Sequence, residues 1–169
     1  MDQLAIEGID GVRVEVLARH LGVTKGSFYA HFKDREELHE AILGYWRSRA
    51  TLALIDRMNQ IGTSARKRLE RLIKVVIETK SRWGDDAELS IRLWARRDNR
   101  ARETLSEVDQ MRTLYIANLL VEAGLGVDQA RARALLVYSY MRVAPSLGTV
   151  VGDRDMGLAQ DILLAGTRD

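Results

Sequence analysis

Thr24, Lys25, Gly26, Ser27, Tyr29 and His31 stand within eight positions and offer two aliphatic hydroxyls, an ammonium, a phenol and an imidazole, with only Phe28 and Ala30 as apolar side chains among them. Groups of this kind donate and accept hydrogen bonds and meet anions. Their order does not make a reaction centre. Lys25-Gly26-Ser27 carries the letters of a phosphate-binding loop in the wrong order, and no strand pattern precedes it. His39-Glu40-Ala41-Ile42-Leu43 opens like a metalloprotease helix but has no second histidine four positions on. No Gly-x-Ser-x-Gly elbow occurs, and the absence of cysteine excludes disulfides, thiolate metal sites and a thiol nucleophile. No catalytic residue, metal ligand or cofactor is therefore assigned, and an enzyme is not expected.

The row needs a device that holds it outward. Ala18-x-x-Leu21-Gly22-Val23-Thr24 fits a helix-turn-helix: a small residue where two helices nearly touch, a glycine for the tight turn, and an apolar plug behind it. Thr24 then caps the second of the two helices, whose polar side faces out while Phe28 and Phe32 anchor its other side. From Arg13 to Arg35 there are five cations against two anions, a local excess of three, whereas the whole chain carries only +2. The basic surplus coincides with the motif, where a polyanion would be met.

The rest of the chain reads as a string of helices. A single proline, Pro145, leaves little to interrupt them. Helices are expected over Asp2 to Glu7, stopped by Gly8; Val14 to Leu21, with 14, 17, 18 and 21 as its buried face; Thr24 to about Phe32; and a long one capped by Asp34 and reaching about Gln60. Ser64 to Trp83, Ala87 to Arg97 and Arg100 to Ala123 follow, the last closed by Gly124, and Asp128 caps the next. Ala134 to Met141 is apolar nearly all round, and Met156 to Ala165 is a further apolar helix after Pro145. Surplus apolar surface on two neighbouring helices predicts a homodimer joined through the last two. The opening Met1-Asp2 shows neither a basic nor an apolar leader pattern and no run of about eighteen apolar residues occurs, so a cytoplasmic location without a membrane partner is expected.

Gly22-Val23-Thr24-Lys25-Gly26-Ser27-Phe28-Tyr29-Ala30-His31-Phe32-Lys33-Asp34-Arg35-Glu36-Glu37-Leu38 resembles the signature of the TetR family of transcriptional regulators. The resemblance runs over roughly Gly8 to Ile42. It implies an all-α fold with an N-terminal helix-turn-helix, three-helix DNA-binding domain at residues 1–44 and a C-terminal helical ligand-binding and dimerisation domain at 45–169. It further implies a dimer on a pseudo-palindromic operator, acting as a repressor and released by a small-molecule effector. Carried over by position, Thr24, Lys25, Gly26 and Ser27 open the recognition helix, and Tyr29 and His31 touch DNA. Arg35 stands where the family commonly has lysine and suits a phosphate contact at a helix start, with Lys33 beside it. Arg13 replaces the usual serine or threonine cap of the second helix and is expected to reach a phosphate instead.

Blander readings compete at each position. His31 beside Tyr29 and Phe32 could complete a small core, and the arginine run Arg92, Arg96, Arg97, Arg100 and Arg102 is expected to be a solvated face rather than an anion site. Trp83, Trp94, Tyr115, Tyr138 and Met141 are the candidates for lining an effector pocket, although each type is commonly plain core. A dimeric binding protein that keeps the fold without the DNA grip is the competing class. Only seven residues precede Gly8, about half the family's usual first helix, and truncation is the expectation. A version extended at the N-terminus should then bind DNA more tightly in a mobility-shift titration, and equal affinities would count against it.

Overall fold

The computed structural model describes residues 1–79, 85–147 and 150–169. Among the described residues the regular structure is helical and no strand occurs, the all-α class expected. In chain order the helices are α1 (Asp2–Gly11), α2 (Val14–Leu21), α3 (Lys25–His31), α4 (Arg35–Arg47), α5 (Ala53–Asn59) and α6 (Ala65–Thr79). They continue with α7 (Asp85–Trp94), α8 (Asn99–Glu122), α9 (Val127–Leu147) and α10 (Asp153–Leu163). A π-helical stretch, Ser48–Leu52, carries α4 into α5, so the run expected to reach about Gln60 is helical throughout but changes winding on the way. Two compact units result, Met1–Leu52 with Trp83–Val108 and Ala53–Arg82 with Asp109–Asp169.

In the first unit, α1 is broken at Gly8, whose φ of 67° and ψ of −171° are open essentially to glycine alone. The chain then makes one more turn to Gly11 instead of stopping, which brings Ile9 and Val12 into the core beside Leu4. α2 ends at Gly22 in the left-handed conformation (φ 65°, ψ 27°), and the Val23 amide donates back to the Ala18 carbonyl at 2.9 Å. This is a helix closure in which the first residue past the glycine satisfies a terminal carbonyl. Two expectations fail at this turn. Leu21 is 71% exposed and Val23 45% exposed, so the buried face of α2 rests on Val14 and Ala18, and the turn is held by backbone bonds rather than by an apolar plug. Leu21 is the last residue of α2, and the part-buried Val16 and Leu17 lie nearer the packed end.

α7 packs against α1 through buried Ala87, Ile91 and Trp94, and Arg97 pairs with Asp10. Asp98 accepts from the Arg100 amide at 2.9 Å at the start of α8 and from the Arg100 guanidinium at 3.0 Å. Those bonds to Arg100 hold its carboxyl down at about 2.

The second unit is built on the spacing of Leu69, Leu72, Ile73 and Val76, which puts one apolar stripe of α6 against Ile116 and Leu120 of α8 and Ala134, Val137 and Met141 of α9. Gly124 (φ 98°) closes α8, with the Leu125 amide returning to the Leu120 carbonyl at 3.0 Å. α9 begins one residue before Asp128, which sits in its first turn rather than capping it. Pro145 does not end α9 but lies within its last turn, where a proline removes a bond near a terminus instead of breaking the middle. α10 starts at Asp153, three residues before Met156, preceded by Gly152.

Leu69 and Leu120 are fully buried in this core. Leu69→Ala should lower unfolding stability by about 2–5 kcal/mol, read from a urea titration, because the cavity cannot be refilled by neighbours on three helices.

Candidate nucleic-acid interface

α3 is a short, polar helix standing on one buried aromatic. Phe28 is buried and meets Phe32 with ring centroids 5.1 Å apart and Tyr29 edge-on at 5.4 Å. Around that anchor Thr24, Lys25, Gly26, Ser27, Tyr29 and His31 are all exposed. Thr24 caps the helix as expected, its hydroxyl accepting from the Ser27 amide at 3.2 Å, and the two side-chain oxygens lie 3.2 Å apart. A Cβ at Gly26 would meet only the Thr24 hydroxyl, at 3.6 Å, so the position is open outward and its glycine leaves the backbone bare there. His31 is exposed, which removes the core reading offered for it.

Lys25 is engaged within the chain. Its ammonium donates to Glu15 of α2 at 2.8 Å, and this hydrogen bond holds the lysine above and the carboxylate below their ordinary values. Sequence reading paired neither residue, since ten positions separate them and only the turn at Gly22 brings α2 and α3 together. The contact is fully solvated and weak. An anion arriving at Lys25 exchanges one partner for another.

The remaining cations flank α3 along the chain. Arg13 precedes α2 without a side-chain cap and donates from Nε to the Asp10 carbonyl at 3.2 Å. Lys33 is exposed, its amide bonded to Glu37 at 2.5 Å, while Asp34 caps α4 by accepting from the Glu37 amide at 2.9 Å. Arg35 directs one guanidinium nitrogen to the Ile9 carbonyl at 3.3 Å, tying α4 to the end of α1. Four of the five arginines in the run are engaged within the chain, and Arg96 is exposed: Arg92 pairs with Glu88, Arg97 with Asp10, and Arg100 with Asp98 and Glu36. Arg102 donates to Asn99 and to the Ala95 carbonyl.

The five pocket candidates do not share one place. Trp83 lies outside the described residues. Trp94 is buried in the first unit, its ring roughly perpendicular to that of His39 at 5.0 Å. In the second unit Tyr115 donates to Asn59 at 2.9 Å, and Met141 is core. Tyr138 is buried and donates to Asp109 at 2.5 Å while accepting from Arg112 at 3.3 Å, and burial pushes its phenol up. An open groove of about 1030 Å³ runs instead along α6, α9 and α10, past Lys67, Arg71, Lys74, Tyr140, Met156 and Asp161. The missed signal there was the regular spacing of Lys67, Arg71 and Lys74 on one side of α6. Among the described residues no cluster of three metal-ligating side chains occurs, and no helix is long and apolar enough to cross a membrane.

Residues 1–42 match the model for bacterial regulatory proteins of the TetR family. The chain is similar in structure to a TetR transcriptional regulator from Legionella pneumophila, with a TM-score of 0.78 at 10% identity over 98% of this chain and 91% of that one. A putative TetR-family transcriptional regulator from Rhodococcus sp. is similar at a TM-score of 0.66 and 28% identity, over 96% of this chain and 89% of that one. No curated protein matches the sequence. The chain therefore has the fold of the TetR-family transcriptional regulators, and its first 42 residues match the model of that family's N-terminal region.

Proposed function

We propose that this chain is a ligand-responsive repressor that binds a pseudo-palindromic operator as a dimer and is released by a small-molecule effector. The observation that carries the reading is the outward, capped α3: every polar side chain from Thr24 to His31 is exposed while Phe28 alone is buried beneath them. A rigid polar helix of that kind fits the major groove, with Thr24, Lys25, Gly26 and Ser27 at its entering end and Tyr29 and His31 further along. Arg13, Lys33 and Arg35 serve the phosphates on either side. In this reading residues 1–44 are the reading head and 45–169 the ligand-binding and dimerisation body.

Support for the dimer comes from apolar surface left on the last two helices. Leu136 of α9 is 61% exposed and Ile162 of α10 is 73% exposed, with Leu135, Val143 and Leu158 also exposed. Side chains of this size, repeated on neighbouring helices, are covered in a stable protein by a partner, and a second copy makes a four-helix seam. The paired heads then lie about one DNA turn apart. The effector is taken by the body, where Tyr138 with Asp109 and Arg112 supplies polar handles beside apolar core. It releases the operator by favouring a spacing of the heads that no longer matches the grooves.

Two measurements test this, both on duplexes selected by the protein from a random-sequence library. Tyr29→Ala and Lys25→Ala should each weaken binding by about tenfold or more, a loss of the order of one good contact, while sedimentation shows the dimer unchanged. Unchanged affinity in both variants would overturn the reading. The logarithm of wild-type affinity should also fall linearly with the logarithm of salt concentration, and Lys25→Ala should make that slope shallower by about one; a flat wild-type response is incompatible with phosphate contacts.

A further inference from the structure

His39 is a histidine in an apolar place. It lies on α4, one turn past Arg35, and only 8% of its surface is exposed. Its ring packs roughly perpendicular to that of Trp94 of α7, at a centroid distance of 5.0 Å and an interplanar angle of 72°. Its Nε2 is buried and has no hydrogen-bond partner among the described residues. The charged groups around it are unfavourable to a second cation. Arg35 of α4 and Arg100 of α8 oppose a proton on the ring; Asp98 and Glu36 favour one, but both are already paired with Arg100. Asp10 of α1 is held by Arg97.

A neutral imidazole fits this site and an imidazolium does not. Charging it adds a cation near Arg35 and Arg100, in a spot where the two carboxylates that favour the proton, Asp98 and Glu36, are already paired with Arg100 and little water reaches the ring. We propose that His39 is an acid-sensitive latch: proton uptake there loosens α4 from α7 and so unfastens the helix-turn-helix from the support beneath it. A proton is thus a second effector, acting on the reading unit itself and independently of any ligand in the body. The inference rests on the packing of that unit and not on the operator reading, so either can fail alone.

Burial, followed by Arg35 and Arg100, lowers the imidazole below its ordinary 6.5. Stability contributed by the neutral ring is therefore complete above about 6.5 and is lost as pH falls below it, because the unfolded chain takes up the proton first. His20 and His31, the other two histidines, are exposed. Between pH 7.5 and 5.5 the latch should therefore dominate.

The test is the urea unfolding of the full chain across that range, with His39→Gln and His39→Leu as comparisons. Wild type should lose stability with acid, its unfolding equilibrium constant rising by up to about tenfold per pH unit. Both variants should respond far less. Equal pH responses in wild type and in a folded variant would overturn the proposal. Imidazole resonances of the wild-type protein give a reading that needs no variant: His39 should titrate below the ordinary 6.5, and titration at or above that value would equally end it.

Discussion

The reversal at Gly22 is the constraint on which the N-terminal unit depends. Eight residues of α2 and seven of α3 can share one small support only if the chain turns sharply between them, and that turn uses a left-handed residue. The bond from the Val23 amide to Ala18 finishes α2, and the next residue, Thr24, starts α3 by accepting from the Ser27 amide. Because backbone and cap hold the turn, the side chains around it need not be buried. This is why Leu21 and Val23 stand in solvent although the pattern assigned them to the core, and why almost the whole surface of α3 is available for contact.

Electrostatics follow from that geometry. The basic excess near α3 is real in the sequence but partly spent inside the chain: Lys25 on Glu15, Arg13 on a carbonyl, Arg35 on the end of α1. These partners are exposed or are single backbone oxygens, so each contact holds a side chain in place at little energetic depth. The arginines at the α7 to α8 junction differ. Arg97, Arg100 and Arg102 each have an acidic or carbonyl partner, and with Asp98 they fasten the start of α8 beside α4. Cations of one type thus serve two ends, contact with an outside anion in one place and internal fastening in the other.

The second unit obeys a simpler rule. α6, α8 and α9 each give an apolar stripe to a common core, and what α9 and α10 cannot place there remains outside. The polar cluster of Tyr138, Asp109 and Arg112 is the exception, a set of hydrogen-bonded groups kept at the edge of that core. Buried polar groups specify an arrangement because misplacing one partner leaves the others unsatisfied.

Local features were legible in the amino-acid order because their causes are local. The helix periods, the glycines at 22 and 124, the threonine and aspartate caps at 24 and 34, and the outward polar row of α3 each depend on residues within about two turns of one another. Boundaries were less legible: α10 begins earlier than its apolar residues indicate, and Asp128 sits inside the first turn of α9 rather than capping it. Tertiary structure alone decided which distant residues meet. It put α7 on α1, Glu15 on Lys25, and Trp94 against His39. A pattern of apolar positions states that a face will be buried; it does not state against what, since every apolar stripe is an acceptable partner for every other until the chain is closed in three dimensions.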